Sequence, residues 1–292
     1  MSKTVSIIGA GVVGTAVGRL LRLKGYSIKG VAATRLDRAE KAVRFIGGGE
    51  PGVDLVDAAR GADWVFITTP DRAIKVCCEG IAEGGGFKDG AFVAHLSGAL
   101  GSETLATARE CGARVASMHP IQSLASVEQA VKNLPGSYFS LEGDPDAMAD
   151  GREAVDALGG VLVMIPSGQK ALYHAGAAVA SNYLATVVDF ALMTFESLGM
   201  DRKEALTAVM PLMLGTLNNI EKVGLPAALT GPIARGDVET VEGHLDALRA
   251  SMPKMVRLYC ELGKHTVRIG MAKGTLGPNE GYKMLEILSR RI

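Results

Sequence analysis

The sequence carries no excess of either charge: 31 basic residues face 31 acidic ones. Such a chain has no net field to draw it to a polyanion, so composition gives no support to a nucleic-acid or anionic-membrane partner. Aromatic residues are scarce, at 5%, although 48% of the residues are hydrophobic. The interior must therefore be built from Ala, Val, Leu, Ile and Met, which suits packed helices around a parallel sheet. Cysteine is nearly absent. Cys77, Cys78, Cys111 and Cys260 form no C-x-x-C pair, which excludes a disulfide scaffold, leaves no expected metal site and makes a reducing cytoplasm the expected setting. The vicinal pair Cys77–Cys78 falls in a helical segment, where packing is its expected role. Long uninterrupted apolar runs are lacking too. The nearest, Ala175 to Phe195, contains Asn182 and Asp189. Charge at mid-bilayer is costly, so a buried helix of a soluble protein is expected there and no membrane span. Lys3 followed by an apolar stretch has the outline of a signal peptide, but turn glycines and the early Arg19 and Arg22 fit a strand, loop and helix better.

What the chain does have is a strong opening pattern. Val5-Ser6-Ile7-Ile8 reads as a strand, Gly9-Ala10-Gly11-Val12-Val13-Gly14 as a glycine loop, Thr15 to Lys24 as a helix, and Ser27 to Ala33 as a second strand. This is the first unit of a dinucleotide-binding fold. Gly9 turns the chain out of the strand, Gly11 lets a pyrophosphate approach the backbone, and Gly14 lets helix and sheet pack closely. The helix start, at Val12 and Val13, aims free N–H groups and a positive dipole end at the phosphates. An NAD-preferring fold places a carboxylate at the tip of the second strand. Here the tip reads Ala33-Thr34-Arg35. A guanidinium suits a 2′-phosphate, so NADP is the expected cofactor, with Arg38 adding charge.

Beyond the opening, Gly47 to Gly52 reads as a loop and Val53 to Val56 as a short strand. Ala62–Thr69, Ala91–Leu96 and Ala113–Met118 read as buried strands with helices between them, which argues α/β with a parallel sheet. Ser137–Leu141 and Val161–Ile165 extend that sheet. Ligands bind beyond the carboxyl ends of such strands, which puts Thr69, Pro70, Ser97 and His119 on one rim. Pro166-Ser167-Gly168 breaks the pattern, and helices follow: Lys170–Leu198, Arg202–Val223, Val238–Ala250, Pro253–Lys264 and Glu280–Arg290. The expected organisation is a Rossmann-type domain over 1–165 and an all-α substrate and dimerisation domain over 166–292. Lys170, His174 and Ser181 share one helical face, where a lysine and a histidine one turn apart can serve as acid and positioning group. The connector Leu229–Asp237 offers Thr230 and Arg235 to a substrate carboxylate, with Asp237 as the cap of the next helix.

Taken together, Gly9-x-Gly11-x-x-Gly14, His95-Leu-Ser97-Gly98, His119-Pro120, Lys170-x-x-Tyr173-His174 and Thr230-Gly-Pro-x-x-Arg235-Gly-Asp237 resemble a family of Rossmann-type oxidoreductases whose helical C-terminal half is catalogued as a domain of unknown function. More distantly the chain is similar to ketopantoate reductase, pyrroline-5-carboxylate reductase and 6-phosphogluconate or β-hydroxyacid dehydrogenases. The hydroxyacid group has a Gly, a Lys and, four residues later, an Asn as its catalytic signature. Gly168 and Lys170 resemble the first two, and His174 stands where the Asn would be. The His-Pro pair resembles that of prephenate dehydrogenases. The resemblance implies an NADP-dependent reductase of a small 2-oxo acid, with ketopantoate reduction as a candidate, and a homodimer formed through the helical domain. In that reading Lys170 protonates the alkoxide, His174 orients or relays, His119 lines the pocket, and Arg235, from this chain or a partner subunit, holds the carboxylate. An imine reductase, a prephenate-type dehydrogenase and a non-catalytic NADP-binding regulator are the alternatives.

Overall fold

The structure is a computed structural model describing residues 3–166 and 168–290; Ser167, in the predicted break, lies outside them. The chain divides into two compact units, Met1–Ser181 and Asn182–Ile292.

The first unit runs β1 (Thr4–Ile8), α1 (Val12–Leu23), β2 (Ser27–Ala32), α2 (Leu36–Ile46), β3 (Glu50–Gly52), α3 (Leu55–Ala59), β4 (Trp64–Ile67), α4 (Asp71–Glu83), β5 (Phe92–His95), α5 (Ala106–Glu110), β6 (Arg114–Pro120), α6 (Val127–Asn133), β7 (Tyr138–Gly143), α7 (Met148–Ala157), β8 (Val161–Met164) and α8 (Lys170–Ala178). Its sheet has the order β3-β2-β1-β4-β5-β6-β7-β8. Chain order reverses between β1 and β4, the place where such sheets bind ligands. The middle strands are buried on both faces, as expected for near-continuous apolar runs covered by helices. Trp64, Phe66 and Phe92 point to one side, and Val65, Ile67 and Val93 to the other. Trp64 stacks on Tyr26 at 5.0 Å and its Nε1 donates to Asp150 at 2.9 Å.

Two local predictions are corrected. The apolar run at 53–56 is not a strand. The Asp54 carboxylate accepts from the N–H groups of Val56 and Asp57, so capping starts α3 there, and the edge strand β3 lies just before it. A cap of this kind contributes about 1 kcal/mol, enough to override so short a run. The sheet is also not wholly parallel: β7 pairs antiparallel with β6. The chain leaves β6 at Pro120 and re-enters at Tyr138 on the same end of the sheet, so the returning strand must point back.

The second unit is helical: α9 (Leu184–Glu196), α10 (Arg202–Val223), α11 (Pro232–Arg235), α12 (Val238–Ser251), α13 (Val256–Lys273) and α14 (Pro278–Ser289). Val241, Leu245, Val256, Val267, Met284 and Leu288 form its main core. Asp201 and Asp237 cap α10 and α12. Helix α13 continues past the predicted end at Lys264 to Lys273, where Gly274 takes the left-handed conformation that ends it. The helix predicted to be buried over 175–195 is largely exposed: Val179, Tyr183, Leu184 and Val187 face outward, while Leu192 is buried. By length and composition Lys170–Glu196 is the one stretch among the described residues long and apolar enough to cross a membrane.

Candidate active site

The glycine loop does what its spacing requires. Gly9 sits at φ +116°, and a Cβ there would lie 2.7 Å from the Thr68 carbonyl carbon. A Cβ at Gly14 would lie 2.2 Å from Thr68 Oγ1 and 2.3 Å from the Gly9 carbonyl oxygen. Thr68 itself donates to that oxygen at 2.7 Å, locking β4 to the loop. Gly11 differs: nothing lies within 4 Å of where its Cβ would be. It stands at the start of α1, which has no side-chain cap and no acidic residue in its first turn. The N–H groups around Val12 and Val13 are thus left for an anion.

A cavity of about 390 Å³ opens beside this loop, lined by Gly9, Gly11, Thr34, Arg38, Thr69 and Pro70 among others. Thr69 Oγ1, buried beside the Cys77 thiol, has no nitrogen or oxygen partner among the described residues. A bare glycine, an open helix start and a spare hydroxyl fit a dinucleotide. Arg35 is not part of the lining. Its guanidinium forms two bonds to Asp37, at 2.9 and 2.7 Å, on the surface, and Arg38, in the first turn of α2, takes its place at the cavity. Ser97 is also outside the lining. Its hydroxyl donates to Asp71 at 2.9 Å and accepts from the N–H groups of Ala99 and Leu100, so it shapes the loop after β5.

That loop is held over a row of buried polar groups. The register pairs His95 with Ser117 across β5 and β6, and Ser117 with Glu142 across β6 and β7. His95 Nδ1 accepts from the Ser97 N–H, so Nε2 carries the proton and donates to the Gly101 carbonyl at 3.0 Å. Burial lowers the His95 pKa and keeps it neutral. Ser117 donates to the Leu100 carbonyl, and Glu142 accepts from the Ser102 N–H and hydroxyl at 2.7 and 3.1 Å.

Two residues along the same strands, His119 pairs with Ser140, and α8 brings its first turn onto them. Lys170 is only 3% exposed, and its Nζ donates to Ser140 Oγ at 3.1 Å and lies 5.3 Å from the Tyr173 ring centre. Burial pulls its pKa down to about 8, against the opposing charges of Glu142 and Asp71. The Tyr173 hydroxyl bonds His119 Nδ1 at 2.9 Å. His119 is pushed down to about 4, by burial first and then by Lys170 and His174. Its ring meets that of His174 edge to face, at 5.6 Å. Both imidazoles converge on Gly98: a Cβ there would lie 2.3 Å from His174 Nδ1 and 2.9 Å from His119 Nε2. His174 Nδ1 is buried and has no partner among the described residues.

The structure thus joins Lys170, His174 and His119, and adds Ser140, Tyr173, Gly98 and Glu142. Tyr173 and Gly98 stand in quoted motifs; only their contacts reveal a role. Ser181 does not continue the Lys170–His174 face. It lies in a π turn, Val179–Tyr183, whose wider spacing takes it off the α-helical register, and it is exposed. Thr230 and Arg235 are exposed residues of the second unit, where Asp237 caps α12 through Thr240. Among the described residues no three His, Cys, Asp or Glu side chains gather as a metal site.

Residues 2–120 match the Rossmann-like domain and residues 137–266 match a domain of unknown function, DUF2520. The glycine loop and His119 lie in the Rossmann-like part, and Ser140, Lys170, Tyr173 and His174 in the DUF2520 part. Protein TM1727 from Thermotoga maritima is 27% identical, with a TM-score of 0.75 over 92% of this chain and 99% of its own. BF3122 from Bacteroides fragilis, named for an inferred NADP oxidoreductase activity, is 22% identical, with a TM-score of 0.73 over 91% and 98%. A pyrroline-5-carboxylate reductase from Coxiella burnetii shares the fold at 15% identity and a TM-score of 0.58, over the whole of both chains. A search of curated proteins found no match.

Proposed function

We propose that this Rossmann-like and DUF2520 chain is an NADP-dependent oxidoreductase that reduces a small 2-oxo acid, in the manner of a ketopantoate reductase. The observation that carries the reading is the bare Gly11 at the uncapped start of α1, opening on a cavity lined by Thr34 and Arg38. The names of its structural neighbours, which include reductases and a dehydrogenase, support it. A bound nicotinamide would supply the hydride. The α1 N–H groups would hold the pyrophosphate, Thr69 would bond the cofactor, and Arg38, with Thr34 beside it, would take the 2′-phosphate. The protein's own part is the proton. Lys170, with its pKa about 8, is charged and ready to give a proton near neutral pH. His174 Nδ1 orients the substrate. A homodimer through the helical unit and a cytoplasmic location complete the proposal.

The test is oxidation of NADPH and of NADH against a panel of 2-oxo acids and cyclic imines, with calorimetry of dinucleotide binding alongside. Turnover of a 2-oxo acid with NADPH is the expected result, and Lys170→Ala is expected to reduce it by roughly 100- to 10,000-fold while NADPH still binds. Tight NADPH binding with silence across the panel would point to a regulator instead. No binding heat from any dinucleotide would end the proposal.

A further inference from the structure

We propose that Glu142 is a positioning residue: by clamping Ser102 it fixes the loop after β5, and through Gly98 on that loop it sets where the His174 and His119 imidazoles stand. The inference rests on the reductase reading for its effect on turnover, and adds to it a residue that acts without meeting the substrate. His95, Ser117 and Glu142 stand side by side on β5, β6 and β7. All three are buried, on strands that otherwise bury Phe92, Val93, Val115, Met118, Phe139 and Leu141. A buried polar group is costly unless it is hydrogen-bonded, and these three are bonded to one loop. His95 accepts from the Ser97 N–H and donates to the Gly101 carbonyl. Ser117 donates to the Leu100 carbonyl at 3.1 Å. Glu142 takes both donors of Ser102, the N–H at 2.7 Å and the hydroxyl at 3.1 Å. Two bonds to one residue fix its direction as well as its distance. An apolar side chain at 142 would leave the Ser102 N–H buried and unpaired, which is costly, so the loop would have to shift to find it a partner.

Gly98 rides on that loop. It is buried, and the place a Cβ would take is already filled: it lies 2.3 Å from His174 Nδ1 and 2.9 Å from His119 Nε2. The two rings thus rest on the bare backbone of the loop, and they meet each other edge to face at 5.6 Å. His119 has a second hold, since the Tyr173 hydroxyl bonds its Nδ1 at 2.9 Å. His174 Nδ1 has no hydrogen-bond partner among the described residues, so contact with Gly98 and with the His119 ring sets the direction of that nitrogen. A nitrogen placed by contact follows the loop when the loop moves. Ser140, two residues before Glu142 and on the same face of β7, holds Lys170. One strand therefore seats the lysine directly and the histidine through the loop.

Three variants of the full chain test the clamp, read by NMR of the histidine rings and by amide hydrogen exchange. Glu142→Leu fills the space and accepts nothing. It is expected to shift the His174 and His119 ring signals and to speed exchange of the Ser102 amide at least roughly tenfold. With any compound that turns over, its kcat per dinucleotide-binding site is expected to fall roughly 10- to 100-fold, as misplacement from a distance does. Glu142→Gln keeps the shape, can accept the Ser102 N–H and can donate to its hydroxyl. It is expected to restore the ring signals, the slow exchange and most of the turnover, a rescue that general loss of stability would not produce. Ser102→Ala removes one of the two bonds and is expected to shift the same ring signals by less, so the test survives if Glu142→Leu fails to fold. Wild-type ring signals in folded Glu142→Leu, or in Ser102→Ala where the first does not fold, overturn the proposal. So does a loss in Glu142→Gln equal to that in Glu142→Leu, which would assign the effect to charge and not to the clamp. If the rings respond as expected but nothing on the panel turns over, the positioning stands and the reductase reading is what fails.

Discussion

An enclosed ammonium at Lys170 costs stability, and its titration says where. Folding lowers its pKa from 10.5 to about 8. Between those values the folded protein binds fewer protons than the unfolded chain, so stability rises with pH across that window. Below pH 8 the penalty is complete; near 10.5 it is gone. Lys170→Met is therefore expected to stabilise the protein at pH 7 by about 3 kcal/mol, with the gain fading toward pH 10.5 and turnover lost throughout. Urea unfolding at several pH values would check this, and a gain independent of pH would refute the assignment. That Lys170 and His174 come together was legible because they lie one helical turn apart. Ser140 was not: a small residue in a strand carries no mark of the lysine 30 positions later that it meets. Arg35 misled for a local reason, since Asp37, two residues on, captures its guanidinium.

At the level of elements, the glycine loop separates folding from binding. Gly14→Ala forces a methyl into Thr68 and the Gly9 carbonyl, and is expected to cost about 1–3 kcal/mol as overpacking does. Gly11→Ala meets no protein atom within 4 Å. It is expected to leave the melting temperature nearly unchanged while weakening dinucleotide binding at least roughly tenfold, because the methyl occupies the approach of the pyrophosphate. Thermal melts and calorimetry on the two variants would separate these effects, and equal losses of stability would contradict the geometry. The glycine loop was legible because its spacing between strand and helix is a local pattern, even though the Thr68 that holds Gly9 and Gly14 bare lies far along the chain. The direction of β7 was not. It depends on the 121–137 connection returning at the end of the sheet it left, a three-dimensional fact that alternation of residue types does not encode.

At the scale of the molecule, the helical unit leaves apolar surface bare. Leu184 and Val187 on α9, and Leu212, Leu214 and Leu217 on α10, are all exposed. A second copy of the chain is the proposed cover. Light scattering is expected to give twice the chain mass, and Leu212→Glu, which places a charge on that surface, is expected to weaken the dimer at least roughly tenfold without lowering helix content. A monomeric wild type at micromolar concentration would remove the proposal. The sequence showed the apolar content of this helix but not its exposure, since a run that is hydrophobic on most sides reads the same whether its own chain or another covers it.

The reversed pairing of β6 with β7 also limits how this protein can change length. Side chains alternate across a strand, so a one-residue slip turns the whole strand over. Deleting a single position between Ser137 and Ser140 would present Leu141 in place of Ser140 to the lysine and would turn Glu142 away from Ser102. Between β6 and β7, insertions or deletions are therefore expected in the surface turn near 122–126, where no strand phase has to be kept.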